Sequence, residues 1–193
     1  MIEVELKSVV DDPALRRRNL EQAGATLKFE GRLEDRRYDT ADRSLGARDH
    51  VLRLRTYRSK NLVRAELDWK GPTRVEGGYK LREELEAPLG DPAALALILE
   101  RLGYEVTTCI DRDITQYDLA GTTVRFERYP RMDVLVEVEG MPSGIEQAIT
   151  VLGLPRRGFS TDRLGEFVGR FEARTRTHAA ICDADLAALP DDG

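Results

Sequence analysis

The chain has 193 residues, 41% of them hydrophobic and 34% charged, which suits one domain with a core of its own and excludes disorder throughout. Thirty basic residues against 35 acidic ones leave a net charge of −5, which argues against a general nucleic-acid or membrane-surface binder. Two cysteines and two histidines supply neither a disulfide framework nor a cysteine- or histidine-built metal site, and no apolar run approaches the roughly 18–20 residues of a spanning helix.

The first segment, 2–7, alternates apolar and charged residues and reads as a strand. Asp12-Pro13-Ala14 opens a helix, with an aspartate cap and proline at the first helical position, and Gly24 closes it. A long strand then leads to Tyr38-Asp39, followed by two more strands over 51–55 and 65–71. The same unit restarts at an offset of 79 residues. Glu5-Leu6, Asp12-Pro13-Ala14, Leu20-Glu21, Gly24 and Tyr38-Asp39 recur as Glu84-Leu85, Asp91-Pro92-Ala93, Leu99-Glu100, Gly103 and Tyr117-Asp118. Segments 123–127 and 135–140 are looser counterparts of the later strands. Two strand–helix–three-strand units give about eight antiparallel strands, and duplicated halves can pair edge to edge and close into a barrel. The fold expected is therefore α+β: a closed, eight-stranded antiparallel barrel built from two repeated halves, with helices packed outside. Further helices are expected over 145–152 and 160–175. The domain is expected to span 1–175, with 176–193 as a loosely ordered tail.

The strands alternate, yet their polar positions are almost all charged. Glu3, Glu5 and Lys7 share one face of the first strand; Arg53 and Arg55 share another, as do Asp68 and Lys70. The pattern continues with Arg82, Glu84 and Glu86, with Arg125 and Glu127, and with Glu137 and Glu139. If these faces pointed outward, the amphipathic helices would have no apolar sheet to sit on. Pointed inward, they make a charged tunnel whose apolar outer wall carries the helices. Arg112 falls on the same inward parity. Buried charges of both signs either pair with one another or await ligands. A phosphate chain on the arginines and lysines, with Mg²⁺ or Mn²⁺ on the carboxylates, satisfies both.

These residues resemble a known family. Glu3-Val4-Glu5-Leu6-Lys7 is similar to the N-terminal Glu-x-Glu-x-Lys signature of the CYTH superfamily, the triphosphate tunnel metalloenzymes, which includes class IV adenylate cyclases, thiamine triphosphatases and tripolyphosphatases. Tyr38 to Leu45, Leu52-Arg53-Leu54-Arg55, Trp69-Lys70-Gly71-Pro72, the Arg82, Glu84 and Glu86 strand, and the run from Phe126 to Glu139 follow its motifs in order. The resemblance covers roughly residues 1–170. It implies that Lys7, Arg53, Arg55, Lys70, Arg82, Arg112 and Arg125 clamp a triphosphate. It also implies that Glu3, Glu5, Glu127, Glu137 and Glu139 hold Mg²⁺ or Mn²⁺, supported by Glu84 and Glu86. Glu127 stands for the family's aspartate, Ile114 for a basic residue, Asp133 for a glycine and Thr161 for a tyrosine.

Other residues have plainer readings. His50 is expected as a loop or capping histidine, Cys109 as a small core residue, and Gly77-Gly78 as a hairpin turn; Trp69 is read either as a base-stacking surface or as a buried anchor. The expectation is a soluble, cytoplasmic enzyme acting on a small-molecule triphosphate, without nucleic acid or membrane, and with a homodimer as an open assembly. By resemblance, cyclase-like conversion of ATP to cyclic AMP and pyrophosphate ranks first. Triphosphatase action on inorganic, nucleoside or thiamine triphosphate is the alternative, and a non-catalytic polyphosphate- or nucleotide-binding module the third. No individual catalytic residue is assigned.

Overall fold

The punctuation of the two sequence units recurs in the computed structural model, which describes residues 2–189. In the first unit β1 (Ile2–Val9), α1 (Pro13–Gln22), β2 (Thr26–Thr40), a short α2 (Ser44–Ala47), β3 (Val51–Arg58) and β4 (Val63–Lys70) follow in order. After the short β5 (Arg74–Glu76), the second unit repeats the theme as β6 (Tyr79–Leu89), α3 (Pro92–Arg101), β7 (Tyr104–Leu119), β8 (Thr122–Arg128) and β9 (Leu135–Glu139). Three helices end the described chain: α4 (Pro142–Leu152), α5 (Leu164–Thr175) and α6 (Asp183–Ala188). The caps match between units. Asp12 accepts from the Leu15 N–H and Asp91 from the Ala94 N–H, each at 2.9 Å. Gly24 and Gly103 turn the chain after each helix with φ of +85° and +87°, where a side chain would be strained.

All strand pairs are antiparallel, in the order β1-β9-β8-β7-β2-β3-β4-β6, and β6 closes on β1. The first strand of each unit pairs with the last strand of the other: β1 with β9 and β6 with β4. The equivalent strands β1 and β6 pair with each other, as do β2 and β7, so the halves are interleaved about a pseudo-twofold. The short β5 lies beyond this ring of eight, on β6, and continues the edge on which β4 ends. Gly77 and Gly78 form its hairpin turn with φ of +59° and +83°.

The apolar faces point outward. Leu6, Val124, Val136 and Val138 pack with Leu20 of α1 and Ile145, Ile149 and Leu152 of α4 in the largest core cluster. On the opposite wall α3 seats Leu99 against Tyr38 and Leu54. Each such fully buried aliphatic side chain contributes roughly 1.5–3 kcal/mol. The charged faces are left to line the interior.

Two boundaries differ from the sequence expectation. Ser160 does not start a helix; its N–H and C=O pair with Lys7 on the β1 edge, so α5 begins only at Leu164. The chain after 175 reads as loose from composition, yet its described part is docked. Ala180 pairs with Arg131, the Asp111 N–H donates to the Ile181 carbonyl at 2.8 Å, and Cys182 is buried before α6. Small apolar side chains let this segment lie close to β7, a non-local contact with no periodic signal.

Candidate functional site

Strand register sets the interior order. Along β2, Leu33, Asp35 and Arg37 face inward in turn toward the end where β3 begins, and they stand beside Tyr57, Arg55 and Arg53. Arg53 and Arg55 stand in turn beside Asp68 and Glu66 of β4. Lys70 faces Glu84, and Glu3 and Glu5 face Arg82 and Lys80. The interior thereby becomes two adjoining polar compartments with an apolar stopper.

The first compartment is cationic, a cavity of about 120 Å³. Its basic lining consists of Lys7, Arg53, Arg55, Lys70, Arg82 and Arg112 from the expected clamp, together with Arg37, Lys80 and Arg163. Against these nine stand three carboxylates, Glu5, Glu137 and Asp49. Such an excess in a partly enclosed space favours a polyanion. Val51, Ile110, Tyr129 and Leu164 complete the wall.

Ion pairs hold the basic groups in place. Arg53 reaches Asp68 at 2.7 Å, Glu84 at 3.0 Å and Asp35 at 3.6 Å. Arg55 meets Asp68 at 3.1 Å, Arg112 meets Glu127 at 2.8 Å, and Lys7 meets Glu137 at 2.6 Å. Lys70 pairs with Glu3 and, at 3.1 Å, with Glu84. Arg82 instead donates to the backbone carbonyls of Gly71 and Asp49, each at 2.7 Å. Asp35 is fully buried, and neither of its oxygens has a hydrogen bond among the described residues. Burial would raise its pKa, but Arg53, Arg37 and Arg55 hold it well below the usual carboxylate range. Burial lowers the Lys70 pKa, and Arg53 adds to this.

The second compartment is acidic, about 260 Å³, and lined by Glu3, Glu84, Glu86 and Glu139. Glu139 has no ion pair or hydrogen bond from its side chain among the described residues. Burial, then Glu3 and Glu137, push its pKa up to about 7. Glu86 also belongs to a triad with Glu66 and Asp68, one carboxylate oxygen from each lying within 4.8 Å of the others. Asp68 Oδ1 is buried there without a hydrogen-bond partner among the described residues. Hard carboxylate donors, of which Glu86 and Glu139 form no ion pair among the described residues, suit a divalent cation of the Mg²⁺ or Mn²⁺ type.

The expected residues therefore divide. Six of the seven clamp positions share the cationic compartment, whereas Arg125 lies alongside it, held by Glu137 at 2.8 Å and Gln116 at 3.2 Å. Of the five expected metal ligands, Glu3 and Glu139 line the acidic compartment, while Glu5 and Glu137 line the cationic one. Glu127 lines neither; Arg112 and the Tyr129 hydroxyl, both at 2.8 Å, occupy its oxygens. Glu84 and Glu86 stand with Glu3 and Glu139. Ile114 is part of the stopper, an inward apolar cluster with Leu33, Tyr57 and Phe29. Trp69 lies on the outer parity of β4 and stacks edge-on against His50 with centroids 5.2 Å apart, so it does not face the tunnel. Three further basic residues join the cavity. Arg37 and Lys80 carry the inward parity of Asp35 and Arg82, a signal present in the sequence. Arg163, ahead of α5, carries no periodic signal.

A barrel with apolar faces outward and a tunnel of arginines, lysines and glutamates defines a tunnel-type domain. The chain belongs to the CYTH domain family, which it matches over residues 1–147. Members of this family act on small triphosphate substrates and depend on metal ions. No curated protein sequence matches the chain. Among solved structures, a candidate adenylate cyclase from Vibrio parahaemolyticus superposes with a TM-score of 0.75 at 19% identity, covering 88% of this chain and 98% of its own. A protein from Pyrococcus horikoshii gives 0.71 at 21% identity, covering 87% of this chain and 98% of its own. A candidate adenylyl cyclase from Hippeastrum, whose dominant activity is that of a triphosphatase, gives 0.60 at 15% identity over 90% of this chain and 95% of its own. At these identities the likeness establishes the fold.

Proposed function

We propose that the protein is a divalent-metal-dependent enzyme that hydrolyses a triphosphate held in the cationic compartment. The observation that carries this reading is the segregation of charge: nine basic side chains on one cavity, adjoining four glutamates on the next. Arg53, Arg55 and Arg112 offer guanidinium forks to phosphate oxygens, and Lys7 and Lys70 offer point charges. Glu3, Glu84, Glu86 and Glu139 would hold Mg²⁺ or Mn²⁺, which when bound neutralises phosphate charge and polarises the phosphorus centre. Catalysis on this reading is positioning and charge neutralisation by a rigid barrel, without a covalent intermediate.

Hydrolysis is favoured over cyclisation because neither lining includes a side-chain amide to read a base edge, and Trp69 faces outward. The cyclase reading keeps one observation in its favour. Val51, Ile110 and Leu164 give the cationic cavity an apolar wall that a nucleoside could lie against. Products resolved by phosphorus NMR, with Mg²⁺ or Mn²⁺ and tripolyphosphate, ATP or thiamine triphosphate in separate tubes, decide between them. Orthophosphate is expected. Cyclic AMP with pyrophosphate would make the protein a cyclase, and tight binding with no product would make it a non-catalytic module.

A further inference from the structure

The basic side chains of the cationic compartment differ in what they touch. Lys7, Arg53, Arg55, Lys70, Lys80, Arg112 and Arg163 each have a carboxylate within 3.1 Å, and Arg82 has two backbone carbonyls. Arg37 has neither. Among the described residues no carboxylate oxygen comes within 4.0 Å of its guanidinium, and its Nε is buried without an acceptor. Asp35, two residues away on its strand, directs its Oδ2 to Arg53, Arg55 and Arg112 at 3.6–3.8 Å. Asp35 attracts Arg37 without forming an ion pair with it, and those same three guanidiniums repel it.

A cation half-buried among cations is costly unless something outside the chain completes it. Arg37 lines the cavity directly, beside Arg53 and toward the end where β3 begins. We propose that Arg37 is a direct ligand of the bound polyanion, contacting a phosphate oxygen, and that the protein gives its guanidinium no ion-pair partner so that the ligand supplies one. This rests on the reading of the compartment as a triphosphate site. It adds to the clamp a residue that forms no ion pair with the barrel's own carboxylates, unlike Arg53, which holds three of them.

That difference gives the test two readouts of opposite sign. Wild type, Arg37→Met, Arg37→Lys and Arg53→Ala are titrated with inorganic tripolyphosphate by calorimetry without metal, and each is melted without ligand. Arg37→Met keeps the volume and removes the charge. Its affinity for tripolyphosphate should fall about tenfold or more, the scale of a lost charged hydrogen bond. Its ligand-free melting temperature should rise, and Arg37→Lys should recover most of the affinity. An unchanged affinity in Arg37→Met, or a lowered ligand-free melting temperature, would overturn the assignment. If the wild type itself does not bind tripolyphosphate, the reading of the compartment falls with it. If wild type binds and Arg53→Ala does not, while Arg37→Met binds normally, Arg37 alone is misassigned.

Discussion

Arg53 and Glu139 are interior charges of opposite kinds. Arg53 serves three carboxylates at once, so Arg53→Ala should both abolish triphosphate binding and destabilise the fold. Leaving buried carboxylates uncompensated costs about 3–5 kcal/mol, which a calorimetric titration paired with a denaturant melt would register. Glu139 serves no cation in this way, and its neighbours Glu3 and Glu137 repel it. Glu139→Gln should therefore keep or raise the metal-free melting temperature while removing metal-dependent turnover. Full turnover in that variant would take Glu139 out of the metal site. Such inward charges are legible in the sequence because side chains on a strand alternate faces, so parity alone assigns Arg53, Arg55 and Lys70 to the charged face of their strands. Pairing is not legible: nothing in the sequence says that Glu127 spends its oxygens on Arg112 and Tyr129.

At the scale of elements, local chemistry decides where helices and turns begin. Asp12 and Asp91 each cap a helix through one backbone N–H, so Asp12→Ala or Asp91→Ala should cost about 1 kcal/mol in a urea melt. Asp39 organises the turn into α2: its oxygens accept from the N–H groups of Thr40, Leu45 and Gly46 at 2.8, 3.0 and 2.9 Å. Burial pulls its pKa up, but the Leu45 and Gly46 N–H groups hold it below the ordinary aspartate value. A lowered folded pKa means that the unfolded chain binds protons first as pH falls. The stabilisation by Asp39 is thus complete above the ordinary aspartate pKa of about 3.9 and is lost as pH drops through its lower, folded value. Asp39→Asn should accordingly narrow its stability gap to wild type in acid, and a gap constant from neutral pH down to acid would refute this. The caps, the glycines and the repeat are readable because each is a signal within a few residues. The late start of α5 and the docking of 176–189 are not, since both depend on pairing with β1 and β7 far away in sequence.

For the whole molecule, duplication explains the architecture and divergence explains the site. Interleaved halves close the ring of eight strands, so the charged faces left to bury are those that line the tunnel. A symmetric tunnel would treat both ends alike. Here Leu33, Tyr57, Ile114 and Phe29 close off the interior beside β2, β3 and β7, the carboxylates gather between β1, β6 and β9, and the cations crowd toward Val51 and Leu164. The barrel and its inward charges are legible from alternation and repeat; this partition is not, because it depends on strand register. The most direct test is a crystal structure with tripolyphosphate and Mn²⁺, using the anomalous signal of manganese. Phosphate density is expected among Arg37, Arg53, Arg55 and Arg112, with a manganese peak beside Glu3 and Glu139. Phosphate bound only on the outer surface, or manganese away from every tunnel carboxylate, would contradict the assignment of the tunnel as the triphosphate site.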